Sequence, residues 1–153
     1  MELYLIKLLL AHLVGDFFLQ PSSWVAEKEQ KKLGSDKLYL HVAIHTVLVF
    51  IVFADLKIWK LAFAIGLLHF IIDAIKLLVQ NKRTSRIWFF ADQALHIAAI
   101  IGCWAYFLGG KMELHFFAGE NFWILAIGAV FLSMPAAIIM RVIIARWVPT
   151  SIP

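Results

Sequence analysis

His12 and Asp16, His41 and His45, His69 and Asp73, and Asp92 and His96 form four pairs of ionisable residues, each spaced i,i+4 within an otherwise apolar segment. On a helix this spacing puts both members on one face, one turn apart. Inside a bilayer each such residue costs about 3 kcal/mol or more, so it turns to a bundle interior or an aqueous cavity. Five of the six histidines are used this way. Neutral imidazole with carboxylate suits zinc, iron(II) or manganese, and is too rich in nitrogen to favour calcium or magnesium. The set exceeds the ligands of one catalytic zinc. It implies two metals, or one metal with hydrogen-bonded partners and a general base, for which Asp16, Asp73 and Asp92 are candidates.

The elements that must position these pairs follow from composition and punctuation. Of 153 residues, 63% are hydrophobic and 16% charged, and the mean hydropathy is +0.86. A soluble domain carries roughly 25% charged residues. One all-α domain over residues 1–153 is expected, a polytopic membrane helix bundle of about five spans. The spans are read at 3–19, 38–54, 59–79, 87–108 and 122–144, with a short interfacial helix in SSWVAEKEQKKLG between the first two. Pro21 stops the first span, Ser22 or Ser23 caps the interfacial helix and Gly34 ends it. Asp36 and Ser85 are placed as caps of the second and fourth spans. Ser133 and Pro135 predict a kink in the fifth. The apolar start carries His12 and Asp16 and lacks a small-x-small site, unlike a signal peptide. Cys103, the single cysteine, is expected as a buried thiol.

The basic residues set an orientation. With the amino terminus outside, Lys7, Lys57, Lys60 and Lys111 are external. Lys28, Lys31, Lys32, Lys37, Lys76, Lys82, Arg83, Arg86, Arg141 and Arg146 are cytoplasmic, as the positive-inside rule requires. The net charge of +4 therefore reports topology rather than nucleic-acid binding. On this topology all four pairs fall roughly 6–17 Å from the cytoplasmic helix ends. The outer halves, such as VLVFIVFA and IAAIIGCWAYFL, carry no charge. A cup open to the cytoplasm is expected, with Lys28, Lys76, Arg83 and Arg86 ringing the mouth for an anionic substrate, and Gln20 and Gln93 extending its polar faces. The shared H-x-x-x-D of His12/Asp16 and His69/Asp73 suggests two related hairpins, a logic used in di-metal four-helix bundles. His115 is read as an exposed loop residue, and EKEQKK as a solvated face.

AHLVGDFFLQP, HVAIH, HFIIDAIK and DQALH, in that order across residues 8–100, resemble a bacterial domain-of-unknown-function family of small multi-pass membrane proteins. The style of paired His and Asp in short spans is also loosely similar to inner-membrane metal-dependent hydrolases. The resemblance implies a bacterial cytoplasmic-membrane protein. Its signature positions would be His12, Asp16, Gln20, His41, His45, His69, Asp73, Lys76, Asp92, Gln93 and His96.

Three functions fit these residues. The first is a metal-dependent hydrolase at the cytoplasmic leaflet, acting on a phosphoester or lipid-linked anionic substrate with zinc, manganese or iron. The second is a transition-metal or proton transporter, the default for intramembrane charge, although the apolar outer half offers it no route. The third is a non-catalytic subunit, homo-oligomeric or docked on a membrane partner through the fifth span. Simple interhelical hydrogen bonding, about 0.6–2 kcal/mol a pair, is the bland alternative.

Overall fold

The long apolar runs and their breakers fold, in a computed structural model that describes residues 2–109 and 119–144, as six helices. They are α1 (Glu2–Phe17), α2 (Ser22–Lys31), α3 (Asp36–Phe53), α4 (Trp59–Val79), α5 (Ser85–Leu108) and α6 (Glu120–Ile144). The ends of α1, α3, α4, α5 and α6 lie within two residues of the bounds read for the five apolar segments. No strand occurs among the described residues. Lys111, His115 and Arg146 lie outside them.

The caps differ from expectation, for local reasons. Pro21 holds the N-cap position of α2 at φ −60°, so Ser22 is already helical. Ser35, rather than Asp36, caps α3: its Oγ accepts the Lys37 N–H at 3.2 Å. Asp36 falls in the first turn, where its charge complements the helix dipole. Before α5, Asn81 Oδ1 accepts the N–H groups of Arg83 and Thr84, which leaves Ser85 to donate its hydroxyl to Lys82 O. Ala54 closes α3 in the left-handed region at φ 52°, its N–H bonded to Phe50 O at 2.8 Å.

Helix α1 is the odd member. Its 16 residues span roughly 24 Å, short of a hydrocarbon core of about 30 Å. Four helices, α3 to α6, are each long and apolar enough to cross a membrane. α1 qualifies only with α2, across a 79° bend. Pro21 is the cause: it ends the first helix and starts the second in a new direction.

α1, α3, α4 and α5 close a ring in which each packs on the next, and α6 lies against α1. Gly66 permits the close α3–α4 approach, since a Cβ there would collide with Thr46 Oγ1. The ring is inverted relative to a soluble protein. His12, His41, His45, His69, Asp73 and Asp92 are buried, whereas Ile51, Phe63, Leu67, Leu78, Leu125 and Leu132 are more than half exposed. Apolar exterior and fully hydrogen-bonded helices are what a multi-pass membrane protein requires.

The half of the ring away from the polar pairs is filled by Leu8, Val49, Phe53, Leu61, Ile65 and Trp123, with Cys103 buried there as expected. Lys7 lies in this half. It is fully buried, its Nζ donating to Val52 O at 2.8 Å and lying 4.3 Å from the Trp123 ring. A carbonyl in the last turn of α3, which has no intrahelical partner, thus receives a cation.

Candidate metal centre

All eight paired residues meet at one level. His12 and Asp16 lie late in α1, His41 and His45 early in α3, His69 and Asp73 late in α4, and Asp92 and His96 early in α5. Their meeting is a consequence of alternating helix direction around the ring.

Asp16 is the hub. Its Oδ1 lies 3.0 Å from His45 Nε2, 3.3 Å from His41 Nε2 and 3.6 Å from His69 Nε2. Its Oδ2 accepts Gln93 Nε2 at 2.9 Å and lies 3.8 Å from His12 Nε2. The Nε2 atoms of His41 and His69 face each other at 3.0 Å, and the His45 and His69 rings stack with centroids 3.7 Å apart. His96 lies beside them, its ring centroid 4.0 Å from that of His69 and its Nδ1 3.7 Å from Asp92 Oδ1.

Three overlapping donor groups result: His12, Asp16, His45 and His69; His41, His69 and Asp73; and Asp16, Asp92 and His96. Two ligand atoms at about 2.1 Å from one ion in a tetrahedral site stand roughly 3.4 Å apart. The Asp16–histidine separations bracket that value. His12 Nδ1, His41 Nδ1, both ring nitrogens of His96 and Asp92 Oδ1 are buried without a hydrogen-bond partner. A buried group in that condition costs about 1–3 kcal/mol, so the cluster fits an occupant that accepts lone pairs. Sharing of Asp16 and His69 between groups allows one or two metals.

Two lysines complete the charge. Lys28 reaches in from α2 and pairs with Asp73 at 2.7 Å, both side chains 6% exposed. Lys76 pairs with Asp92 at 2.8 Å. With neutral histidines, three carboxylates against two ammoniums leave one net negative charge, which a single divalent cation would invert. The expected solvated face of EKEQKK is therefore divided: Lys31 is exposed and meets Glu27, whereas Lys28 is buried. Gln80 Nε2 donates to Glu29 Oε1 at 3.0 Å and ties α2 further to α4.

Two cavities flank the cluster. One, of about 570 Å³, is lined by Asp16, Gln20, Lys28, Asp73, Lys76, Asp92 and Gln93 together with apolar residues. The other, of about 10 Å³, lies on the apolar side among His12, His45, His69 and His96, with Leu8, Val49, Ile65 and Ile100 also lining it. That volume holds a single water or ion. Gln20, Lys28, Lys76 and Gln93 line the larger cavity. Arg83 and Arg86 are not among its lining residues; Arg83 is exposed in the α4–α5 turn, and Arg86 Nη2 donates to Ile143 O at 2.8 Å.

One site residue escaped sequence reasoning. A Cβ on Gly15 would collide with the His45 ring, so glycine is what lets His45 reach Asp16. The signal was a glycine in a helix interior, unfavourable by about 1 kcal/mol, directly beside a pair member.

No curated protein and no solved structure matches the chain. Residues 4–125, which take in the whole cluster, match a family described as a protein of unknown function (DUF3307), and the chain belongs to that family.

Proposed function

We propose that the protein is a metal-dependent hydrolase that acts on an anionic phosphoester or lipid-linked substrate at the cytoplasmic leaflet of a bacterial inner membrane. The observation that carries this reading is access from one side. The 570 Å³ cavity ends on Asp16, Asp73 and Asp92, while the small cavity behind the histidines is lined otherwise by apolar side chains alone. A carrier needs a polar route to both faces. The described residues beyond the cluster present Leu8, Val49 and Ile65, with Lys7 bound to a backbone carbonyl.

The residues divide the work by position. His12, His45 and His69 with Asp16 form the donor group deepest in the ring. A zinc, manganese or iron ion held there would acidify a water and offset negative charge developing on the substrate. Asp92, at the cavity wall, takes the proton as the water oxygen bonds to phosphorus, and returns it to the alkoxide released when the ester bond breaks. Lys76 holds Asp92 in place. The basic residues Lys31, Lys32, Lys82 and Arg83 occupy the cavity end, which supports a cytoplasmic mouth.

Purified protein in detergent is expected to hydrolyse phosphoesters without any ion gradient, and chelators are expected to abolish turnover. Asp92→Asn should lower kcat far more than it changes KM. Gradient-dependent ion flux in sealed vesicles, with silence across phosphoester and lipid-linked substrates, would replace this reading with transport. For orientation, Lys82→Cys and Lys57→Cys in a Cys103→Ala background should react in intact cells with membrane-permeant and impermeant thiol reagents respectively. The reverse pattern would put the cavity outside.

A further inference from the structure

The large cavity has two unlike walls. Asp16, Asp73, Lys76, Asp92 and Gln93 form its inner end, whereas Phe17, Phe89, Met134, Ile138 and Val142 line one flank. Met134, Ile138 and Val142 recur every fourth residue, an apolar stripe along one face of α6. α6 packs along α1 and shares no comparable seam with α5 among the described residues, yet both helices line the cavity. Met134 lines it while 51% exposed, so the cavity reaches the bundle surface between α5 and α6. At the end of that slit where α5 begins, the Arg86 guanidinium joins α5 to the last turn of α6 at Ile143 O.

We propose that this slit admits an acyl chain of an anionic glycerophospholipid from the bilayer, which lies along Met134, Ile138 and Val142 while its phosphate reaches the metal cluster. The inference rests on the hydrolase reading for the role of the phosphate, and on the cavity alone for the chain. A volume of 570 Å³ lies within the usual range of ligand sites, about 300–1,000 Å³. It accommodates a head group and the first stretch of a chain, not a whole two-chain lipid. The remainder must leave through an apolar opening, and the α5–α6 slit is one. A water-soluble phosphoester gains nothing from that flank, whereas each buried methylene contributes about 0.8 kcal/mol. The opening also faces the compartment in which such a lipid is already concentrated.

The test uses the full chain in phosphatidylcholine vesicles doped with phosphatidylglycerol that carries a diazirine midway along one acyl chain. After irradiation, peptide mapping is expected to place the label on Met134–Val142 and around Phe89. Ile138→Trp should reduce that labelling roughly tenfold, the effect of excluding about two methylenes. Leu132→Trp, on the outward side of the same helix, should leave it unchanged. Metal content of each variant reports whether the ring has formed, and Met134→Trp repeats the block should Ile138→Trp fail that check. Label spread evenly over Leu125, Leu132 and Met140, or unaltered by both blocking variants, would overturn the proposal. So would complete displacement by soluble glycerol phosphate at equal concentration. Labelled slit with no hydrolysis of any phosphoester would sink the hydrolase reading and leave the lipid site standing. Hydrolysis of soluble phosphoesters with an unlabelled slit would do the opposite.

Discussion

The two halves of the ring are built on the same four helices, joined by α2 at one end and α6 at the other, and handle buried polarity differently. At one end, Asp16, Asp73, Asp92, Lys28, Lys76 and five histidines share a single level and one network. At the other, Lys7 donates to a carbonyl of α3 and lies near the faces of Trp123 and Phe53. Around Lys7 the contacts include a backbone carbonyl and aromatic rings. Clustered charge is met by other charge, and leaves ring nitrogens over. The surplus of unpartnered ring nitrogens is what marks the cluster as a candidate site.

The strongest way to break this contrast is to strike the hub. Asp16→Asn removes the carboxylate that four histidines surround, and should lower stability by about 3–5 kcal/mol. Metal affinity should fall by about a hundredfold or more, read by elemental analysis. A variant that kept its metal and melting temperature would reduce the cluster to interhelical hydrogen bonding.

Gly15→Ala tests the same end by shape alone. It should destabilise by about 2–3 kcal/mol and weaken metal binding, since the added methyl meets the His45 ring. Gly102→Ala, where a Cβ meets nothing, should be neutral or stabilise by up to about 1 kcal/mol in thermal unfolding. Equal responses would remove the steric argument.

At the sealed end, Lys7→Met should cost about 1–2 kcal/mol through the unpaired Val52 carbonyl, with metal stoichiometry unchanged. Loss of metal would mean that the two halves are coupled. Leu67→Ala, on the exposed exterior of α4, should stay within about 0.5 kcal/mol by either readout.

The site was legible because its signal is periodic. Four i,i+4 pairs in apolar runs specify both a face and a depth, and the ring does bring them together. Lys28 was not legible as a partner of Asp73, because EKEQKK presents charge on every face and only the α1–α2 bend decides which lysine turns inward. The end of α1 shifts slightly: Phe18 and Leu19 read as the last turn of the span, whereas the helix stops at Phe17. α6 carries no histidine or carboxylate facing the cluster, so its part in the cavity wall depends on tertiary placement that no local pattern encodes.

The Lys28–Asp73 pair also dictates an order of assembly. Its members are 45 residues apart, on helices separated by α3. As the chain is made, α2 emerges before the helix that carries its partner. A lysine held in hydrocarbon without its carboxylate is strongly disfavoured, so α2 must wait at the interface until α4 has inserted. Until then the polar ends of α1 and α3 stay open to the aqueous side. Docking of α2 is therefore a late event, and it adds Ser22, Val25, Lys28 and Glu29 to the cavity wall only once α4 is in place.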